Sequence, residues 1–175
     1  MKKQGFTLIE LMVVIVIMGI LAAVAVPKLF GMIAKSKASE VGPAAGEYVK
    51  LQDAFVAEVG TGIGNWKKIG YSMANSAAFT YGGYVDNAAN DGTTALESGV
   101  TAAWTATAVG ALNDCLANSL WGLNVVANTD AGGAAQYTAY ITTTSKGGVS
   151  DCETLTPNFK RLSTGNNFQL VTSGQ

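Results

Sequence analysis

The chain has 175 residues, of which 49% are hydrophobic and only 13% are charged. Its 11 basic and 12 acidic residues nearly cancel, and no basic run points to nucleic-acid binding. Histidine is absent, which excludes Ser-His-Asp and Cys-His catalytic centres, and no glycine-rich phosphate loop is present. We therefore predict no enzyme activity, no catalytic residues, no cofactor and no metal site, in one domain with or without an appendage.

The first element in the chain is an apolar segment from Phe6 to Val26, which follows Lys2 and Lys3. This segment is long enough to cross a membrane as a helix. Positive residues are retained on the cytoplasmic side, so the rest of the chain is expected outside the cytoplasm. Within the segment only Thr7 and Glu10 are strongly polar, and a carboxylate in a bilayer-spanning helix is unfavourable.

Two general interpretations of this segment leave Glu10 unexplained. A secretory signal peptide, cleaved at Ala23-Val24-Ala25, predicts a soluble product that begins near Val26. Against it, the apolar run is longer than a typical signal-peptide core, and an acid has no purpose in a discarded segment. A simple membrane anchor does not account for the acid either.

The motif GFTLIE, residues 5–10, follows a short basic leader and precedes the long apolar run. It closely resembles the processing site of type IV prepilins and of the related pseudopilins, and the resemblance covers about residues 1–55. It implies that a prepilin peptidase cleaves between Gly5 and Phe6 and that Phe6 becomes N-methylated. Residues 1–5 are then the leader, 6–30 the membrane and filament-core helix segment, and 31–175 the globular pilin domain.

The same resemblance implies a role for Glu10. Cleavage creates a positive amine on Phe6, and members of this family pair that amine with the acid five residues into the mature chain of a neighbouring subunit. Since opposite charges attract strongly in an apolar bundle, such a pair selects one axial register. Thr7-Leu8-Ile9-Glu10 also matches a local helix capping box, and the two roles are compatible.

Beyond Val26 an amphipathic pattern predicts that the helix continues to Glu58, for a total length of about 80 Å. The predicted apolar stripe consists of Phe30, Ile33, Ala34, Val41, Ala44, Ala45, Tyr48, Gln52, Phe55 and Val59. Pro27 predicts a kink, and Gly42-Pro43 predicts a second bend or a short break. The resemblance implies that the stretch from Gly19 to Pro27 loses helicity in assembled pili, with a static kink as the alternative.

After a glycine-rich turn at residues 60–64, a loop-rich connection with buried aromatic residues is expected over 65–100. The aromatics assigned to that core are Trp66, Tyr71, Phe79, Tyr81 and Tyr84. Strand-like runs follow at residues 102–109, 120–127, 136–144 and 168–172, and residues 112–117 are expected to form a helical turn. The prediction is an α+β fold in which a long helical spine packs on a small antiparallel sheet.

Two cysteines, Cys115 and Cys152, lie in the half of the chain that would be exported. An even count in an exported segment favours one disulfide over two buried thiols, and a metal site would need more ligands. Residues 86–92 carry several side-chain oxygens, but the EF-hand spacing is absent and a plain polar turn is favoured over a calcium site.

The resemblance predicts a structural subunit of a type IV pilus that polymerises through its apolar helix. The implied partners are further copies of itself in a helical homopolymer, the prepilin peptidase, the pilus assembly platform and inner-membrane lipid, with no specific nucleic acid. The subunit would lie in the bacterial inner membrane as a single-pass protein before assembly, and in a surface pilus afterwards. A type II secretion pseudopilin is the alternative within this class, and a membrane-anchored or secreted adhesin or carbohydrate-binding protein is the alternative outside it.

Overall fold

The computed structural model describes residues 5–85, 92–128, 134–143 and 149–172. Its elements in chain order are α1 (Leu8–Ala38), α2 (Val41–Val59), β1 (Gly62–Gly64), β2 (Phe79–Gly83), β3 (Thr93–Ala95), β4 (Val100–Ala108), β5 (Leu120–Asn128), β6 (Ala134–Thr143), α3 (Val149–Leu155), a 3-10 turn (Phe159–Leu162) and β7 (Gln169–Thr172). Lys2, Lys3 and most of the polar turn at 86–92 lie outside the described residues.

The helical spine consists of α1 and α2, separated by a turn at Ser39 and Glu40. Pro43 lies in the first turn of α2 and has no N–H to offer to the carbonyl of Ser39, so one bond of the helical ladder is missing there. On either side of it the amide of Ser39 donates to the carbonyls of Lys35 at 3.0 Å and Ser36 at 3.3 Å, and the amide of Ala44 donates to the carbonyl of Glu40 at 3.2 Å. Pro27 lies inside α1, and the helix continues through it.

The predicted apolar stripe is correct in its middle and wrong at its ends. Most members from Ala34 to Gln52 are buried, and Phe55 is half-buried. Phe30, Ile33 and Val59 are 58%, 43% and 45% exposed, because the sheet domain covers the spine only from Ala34 onward and not at its last residue. The helical period places these three residues on the face of the spine that the sheet domain covers elsewhere, but no other element in the described part of the chain covers them.

The main sheet has five strands in the order β2-β4-β5-β6-β7. Its first three pairings are antiparallel, as predicted, whereas β6 and β7 are parallel, with Ile141 opposite Leu170. The predicted antiparallel sheet is therefore confirmed for these three pairings, and β7 adds one parallel pairing that was not predicted. The reason is the connection: α3 and the 3-10 turn carry the chain back along the sheet before β7 begins, as a parallel pairing requires.

Residues 65–100 contain two strands that the predicted loop did not include. Phe79–Gly83 forms the β2 edge of the main sheet, and Thr93–Ala95 pairs with Gly62–Gly64 in a separate two-stranded sheet. Such short segments gain their strand geometry from a partner distant in sequence, so their own composition does not reveal them. The four predicted strands are found within about two residues, although Thr144 lies outside the described residues.

Residues 112–117 form a tight turn and not the expected helical turn. The amide of Leu112 donates to the carbonyl of Cys115 at 2.7 Å, and the amide of Cys115 donates back to Leu112 at 3.1 Å. Asn113 has a φ of 56°, a left-handed conformation that asparagine tolerates better than most residues. Reciprocal bonding across two residues is the geometry of a hairpin turn, and it places Cys115 facing the core.

The core lies between the spine and the inner face of the main sheet, and its tryptophans are hydrogen-bonded there. The indole N–H of Trp66 donates to the carbonyl of Ala103 at 3.0 Å, and that of Trp104 to the Tyr71 hydroxyl at 2.9 Å. The Trp121 indole N–H donates to the Thr156 hydroxyl at 2.8 Å. All three tryptophans of the chain are thus buried with their polar atoms paired, as a stable core requires.

Tyr137 links the sheet to the spine. Its hydroxyl donates to the Asp53 carboxylate of α2 at 2.7 Å, while its ring is buried on the inner face of β6. Burial first, and the bond to Asp53 second, raise the pKa of Tyr137 far above its ordinary value. The neutral phenol is therefore favoured in the folded chain.

Tyr137→Phe is expected to lower the free energy of unfolding by about 1 kcal/mol, since it removes one hydrogen bond and keeps the ring. Because only the folded chain holds the proton above pH 10, wild-type stability should fall as the pH rises past about 10, and the variant should show a weaker fall. Denaturant titration of the full chain in detergent at pH 7 and 10.5 measures both. Tyr140→Phe is the control for the stability at pH 7, because within the described residues its hydroxyl has no protein partner. It is not a control for the fall at high pH, since burial raises the pKa of Tyr140 as well. Equal stability of Tyr137→Phe and wild type would contradict this assignment.

Candidate processing and assembly site

Helix α1 begins with the capping box that the sequence predicts. Thr7 is extended, with φ −79° and ψ 149°, and its hydroxyl oxygen accepts the Glu10 amide at 3.3 Å. In return the Glu10 carboxylate accepts both the Thr7 amide at 2.8 Å and the Thr7 hydroxyl at 2.7 Å. The reciprocal bonds pair amides that the first turn of a helix otherwise leaves free, so Thr7 holds the carboxylate in one position.

The same carboxylate keeps one oxygen free. Both bonds from Thr7 reach Oε2 of Glu10, and among the described residues no donor reaches Oε1. Phe6, whose amine would be released by cleavage, is 84% exposed, and Glu10 is exposed as well. The two predicted docking residues therefore lie at the same end of α1, each open to a neighbouring molecule.

Around this charge the surface is apolar. Residues 6–30 are exposed throughout, although most are Leu, Ile, Val, Met, Ala or Phe. The spine meets the length and composition expected of a membrane-crossing helix, in its amino-terminal half. A stretch of this kind is not stable in water and requires lipid or protein around it.

The other predicted positions are distributed along the spine. Gly5 is exposed before α1, and Gly19 is exposed within it, with open space where a side chain would stand. Pro27 lies in the exposed half of α1, and Pro43 is exposed in the first turn of α2. The structure thus places Phe6 and Glu10 at the amino-terminal end of α1, with Phe6 just before the helix and Glu10 in its first turn, while the two prolines lie at separate points of the spine.

The predicted disulfide between Cys115 and Cys152 is confirmed. The sulfur atoms are 2.07 Å apart and the Cα atoms 4.8 Å apart, and both residues are buried. The bond joins the tight turn after β4 to α3, across 37 positions of sequence. It belongs to the globular domain and is separate from the docking residues.

One surface feature was missed by the sequence analysis. A cavity of about 280 Å³ lies beside α1 and is lined by Phe30, Ile33, Ala34, Lys37, Ala111, Leu112 and Asn113. Phe30 and Ile33 belong to the predicted apolar stripe, and no sequence signal marked them as lining a surface cavity. Together they extend the apolar surface of α1 onto the domain.

Comparison with known proteins identifies the amino-terminal segment. A family described as the prokaryotic N-terminal methylation motif matches residues 1–26, which include Gly5, Phe6 and Glu10. The chain therefore carries this motif in its amino-terminal segment, and it is similar to type IV major pilin and fimbrial proteins.

Curated relatives match part of the chain. The type IV major pilin protein PilA of Myxococcus xanthus (strain DK1622) is 56% identical over 39 residues, 22% of this chain and 18% of that protein. The type IV major fimbrial protein FimA of Dichelobacter nodosus is 56% identical over 39 residues, 22% of this chain and 25% of that protein. The fimbrial protein EcpC of Eikenella corrodens is 41% identical over 85 residues, 49% of this chain and 52% of that protein.

These matches cover between 18% and 52% of the relatives' own lengths. The likeness therefore covers only part of this chain and part of each relative. The α+β fold, a long amino-terminal helix on an antiparallel-rich sheet, is pilin-like over the whole described chain.

Proposed function

We propose that this chain is the structural subunit of a type IV pilus. The observation that carries the proposal is the exposed apolar half of α1, with a single carboxylate held by Thr7 in its first turn. In the precursor, lipid of the inner membrane would cover this half-helix, and the domain would lie outside the cytoplasm. In the filament, the same half-helices of other copies would cover it.

Glu10 would set the register of the filament. Cleavage after Gly5 by the prepilin peptidase leaves a positive, methylated amine on Phe6, and the free Oε1 of Glu10 on a neighbouring copy is placed to accept it. In an apolar bundle an unpaired charge is strongly unfavourable, so only the axial position that pairs the two charges is stable. Thr7 supports this pairing because it fixes the carboxylate before the neighbour arrives.

Shape and surface along α1 support close packing of many copies. Gly19, Ala22 and Ala23 are small and exposed, which permits neighbouring helices to approach. Further along, Phe30 and Ile33 border the cavity beside the domain and would be covered by an adjacent subunit. Such head-to-tail packing does not close on itself, so it needs an assembly platform in the inner membrane to start and stop it.

The segment from Gly19 to Pro27 is proposed to lose helicity in the assembled filament. Pro27 leaves the carbonyl of Ala23 without its helical donor, and Gly19 lowers helix propensity at the other end. In the protomer α1 is continuous through this stretch. Local melting would let subunits separate axially under load without breaking the pair at Phe6 and Glu10.

The mature amino terminus tests the processing step. Mass spectrometry of the chain purified from membranes and from sheared surface fibres should give a protein that begins at N-methylated Phe6, and electron microscopy should show long fibres. A chain beginning near Val26 would contradict the proposal and indicate a secreted protein. Methylated Phe6 without surface fibres would contradict the pilus and indicate a pseudopilin.

A further inference from the structure

The outer face of the main sheet carries no charge. None of the five strands contains Asp, Glu, Lys or Arg. Trp104, Trp121 and Ile141 are buried on the inner face of the sheet. Successive side chains of a strand point to opposite faces, so their neighbours Thr105, Gly122 and Tyr140 lie on the outer face. Since protein surfaces commonly have about a quarter or more of charged residues, a sheet face without any is suited to a neutral partner.

Tyr140 forms an aromatic platform at the centre of this face. It pairs with Gly122 across β5 and β6, and its ring lies directly over that glycine. A Cβ atom at Gly122 would be 2.2 Å from Cζ of Tyr140 and 2.4 Å from its hydroxyl oxygen, so only glycine lets the ring lie flat on the sheet. Tyr140 is partly exposed.

Threonines surround this ring in the register of the sheet. Thr105 lies opposite Gly122 on β4, and Thr138 and Thr142 lie two residues to either side of Tyr140 on β6. All three are partly exposed, and among the described residues their hydroxyls make no hydrogen bond within the protein. Each offers both a donor and an acceptor to a ligand.

We propose that this face, centred on Tyr140, binds a neutral polysaccharide of β-linked pyranose units. Such a sugar presents an apolar face of C–H groups, which stacks on an aromatic ring, and a rim of hydroxyls, which bond to threonine hydroxyls. An anionic polymer would find no cation on the five strands to pair with, so the neutral polymer is favoured.

In a filament, many copies of this face would strengthen binding to one polymer through avidity. Only this step of the proposal rests on the proposed pilus. The spine packs on the inner face of the sheet through Tyr137 and Asp53, and a core built of α1 helices places the opposite face toward the exterior. Copies repeated along the filament would bind one polymer at many points, which strengthens attachment without a new contact.

The test uses the full mature chain in detergent, cosedimented with insoluble cellulose and chitin, and with calcium alginate as the anionic comparison. Wild type should bind cellulose or chitin and not alginate. Tyr140→Ala should raise the dissociation constant roughly tenfold, and Tyr140→Phe should stay within about threefold of wild type, since the ring carries the contact. Gly122→Ala should weaken binding as Tyr140→Ala does, because it lifts the same ring.

Two controls separate this site from folding and from assembly. The unfolding midpoint of each variant shows whether it still folds. Tyr140→Phe keeps the packing of the ring, so its binding can be measured even if Tyr140→Ala does not fold. Glu10→Gln should bind the polysaccharide as wild type does, even where it forms no filament. The proposal would be overturned if wild type bound neither neutral polymer or bound alginate as well as it bound them. It would also be overturned if Tyr140→Ala bound the neutral polymer as tightly as wild type does. Reduced filament yield from Tyr140→Ala with unchanged polysaccharide binding would instead assign the face to contact between subunits.

Discussion

Glu10→Gln is expected to reduce assembly of surface filaments by roughly a hundredfold or more while the subunit is still cleaved, methylated and inserted in the membrane. The substitution leaves the amine of a neighbour's Phe6 without its counter-charge inside an apolar bundle. Removing one partner of a buried ion pair costs about 3–5 kcal/mol, and about 1.4 kcal/mol corresponds to a factor of ten. The measurement is the ratio of sheared filament to membrane-resident mature subunit.

The capping role of Glu10 does not predict this loss. Glutamine has the same length and is accepted at the third position of a capping box, so the Thr7 amide keeps an oxygen acceptor. Thr7→Val gives the opposite variant, which removes the hydroxyl that accepts the Glu10 amide and keeps the charge. It should lower helix stability by about 1 kcal/mol and leave filament yield close to wild type.

The pair of variants distinguishes the two roles. Low yield from Glu10→Gln with near-normal yield from Thr7→Val supports docking. Normal piliation by Glu10→Gln would refute docking as a necessary step, and low yield from both would show that the local helix start limits assembly. Mature mass is checked in each strain, so that a processing defect is not read as an assembly defect.

Cys115→Ser and Cys152→Ser are each expected to lower the free energy of unfolding by about 4 kcal/mol, since the disulfide closes a loop across 37 positions. This is a large part of the stability of a small domain, so the abundance of the subunit should fall. Because either substitution breaks the same bond, the double variant should be no less stable than the singles. Denaturant titration and immunoblots measure these effects.

The oxidised wild type provides the control for the cysteine series. Under reducing conditions it should lose about as much stability as the serine variants, whereas the variants should be insensitive to reductant. Complete alkylation of both thiols in native, non-reduced protein would contradict the bond. Unchanged unfolding midpoints in both single variants would show that the bond adds nothing to stability.

Local sequence determined most of the spine and the elements with strong patterns. The capping box follows from Thr7 and Glu10 at a spacing of three, and the end of α2 follows from Gly60, whose φ of 78° suits a residue without a side chain. Strands β4, β5 and β6 are long enough for alternation and β-branched content to reveal them. The cysteine pair followed from count and compartment, and its geometry then agreed.

Only the tertiary structure decided the features that depend on partners distant in sequence. Helical period placed Phe30 and Ile33 on the correct face, but where the domain stops covering that face depends on how the sheet is stacked on the spine. The parallel pairing of β7 and the short strands β1, β2 and β3 arise from contacts that no local window contains. Tyr140 and Gly122 are 18 positions apart, and only the register between β5 and β6 sets the ring on the glycine. Local propensities and charge patterns depend on residues that are adjacent in sequence, so the sequence alone reveals them. Burial and strand register depend on the packing of the whole chain.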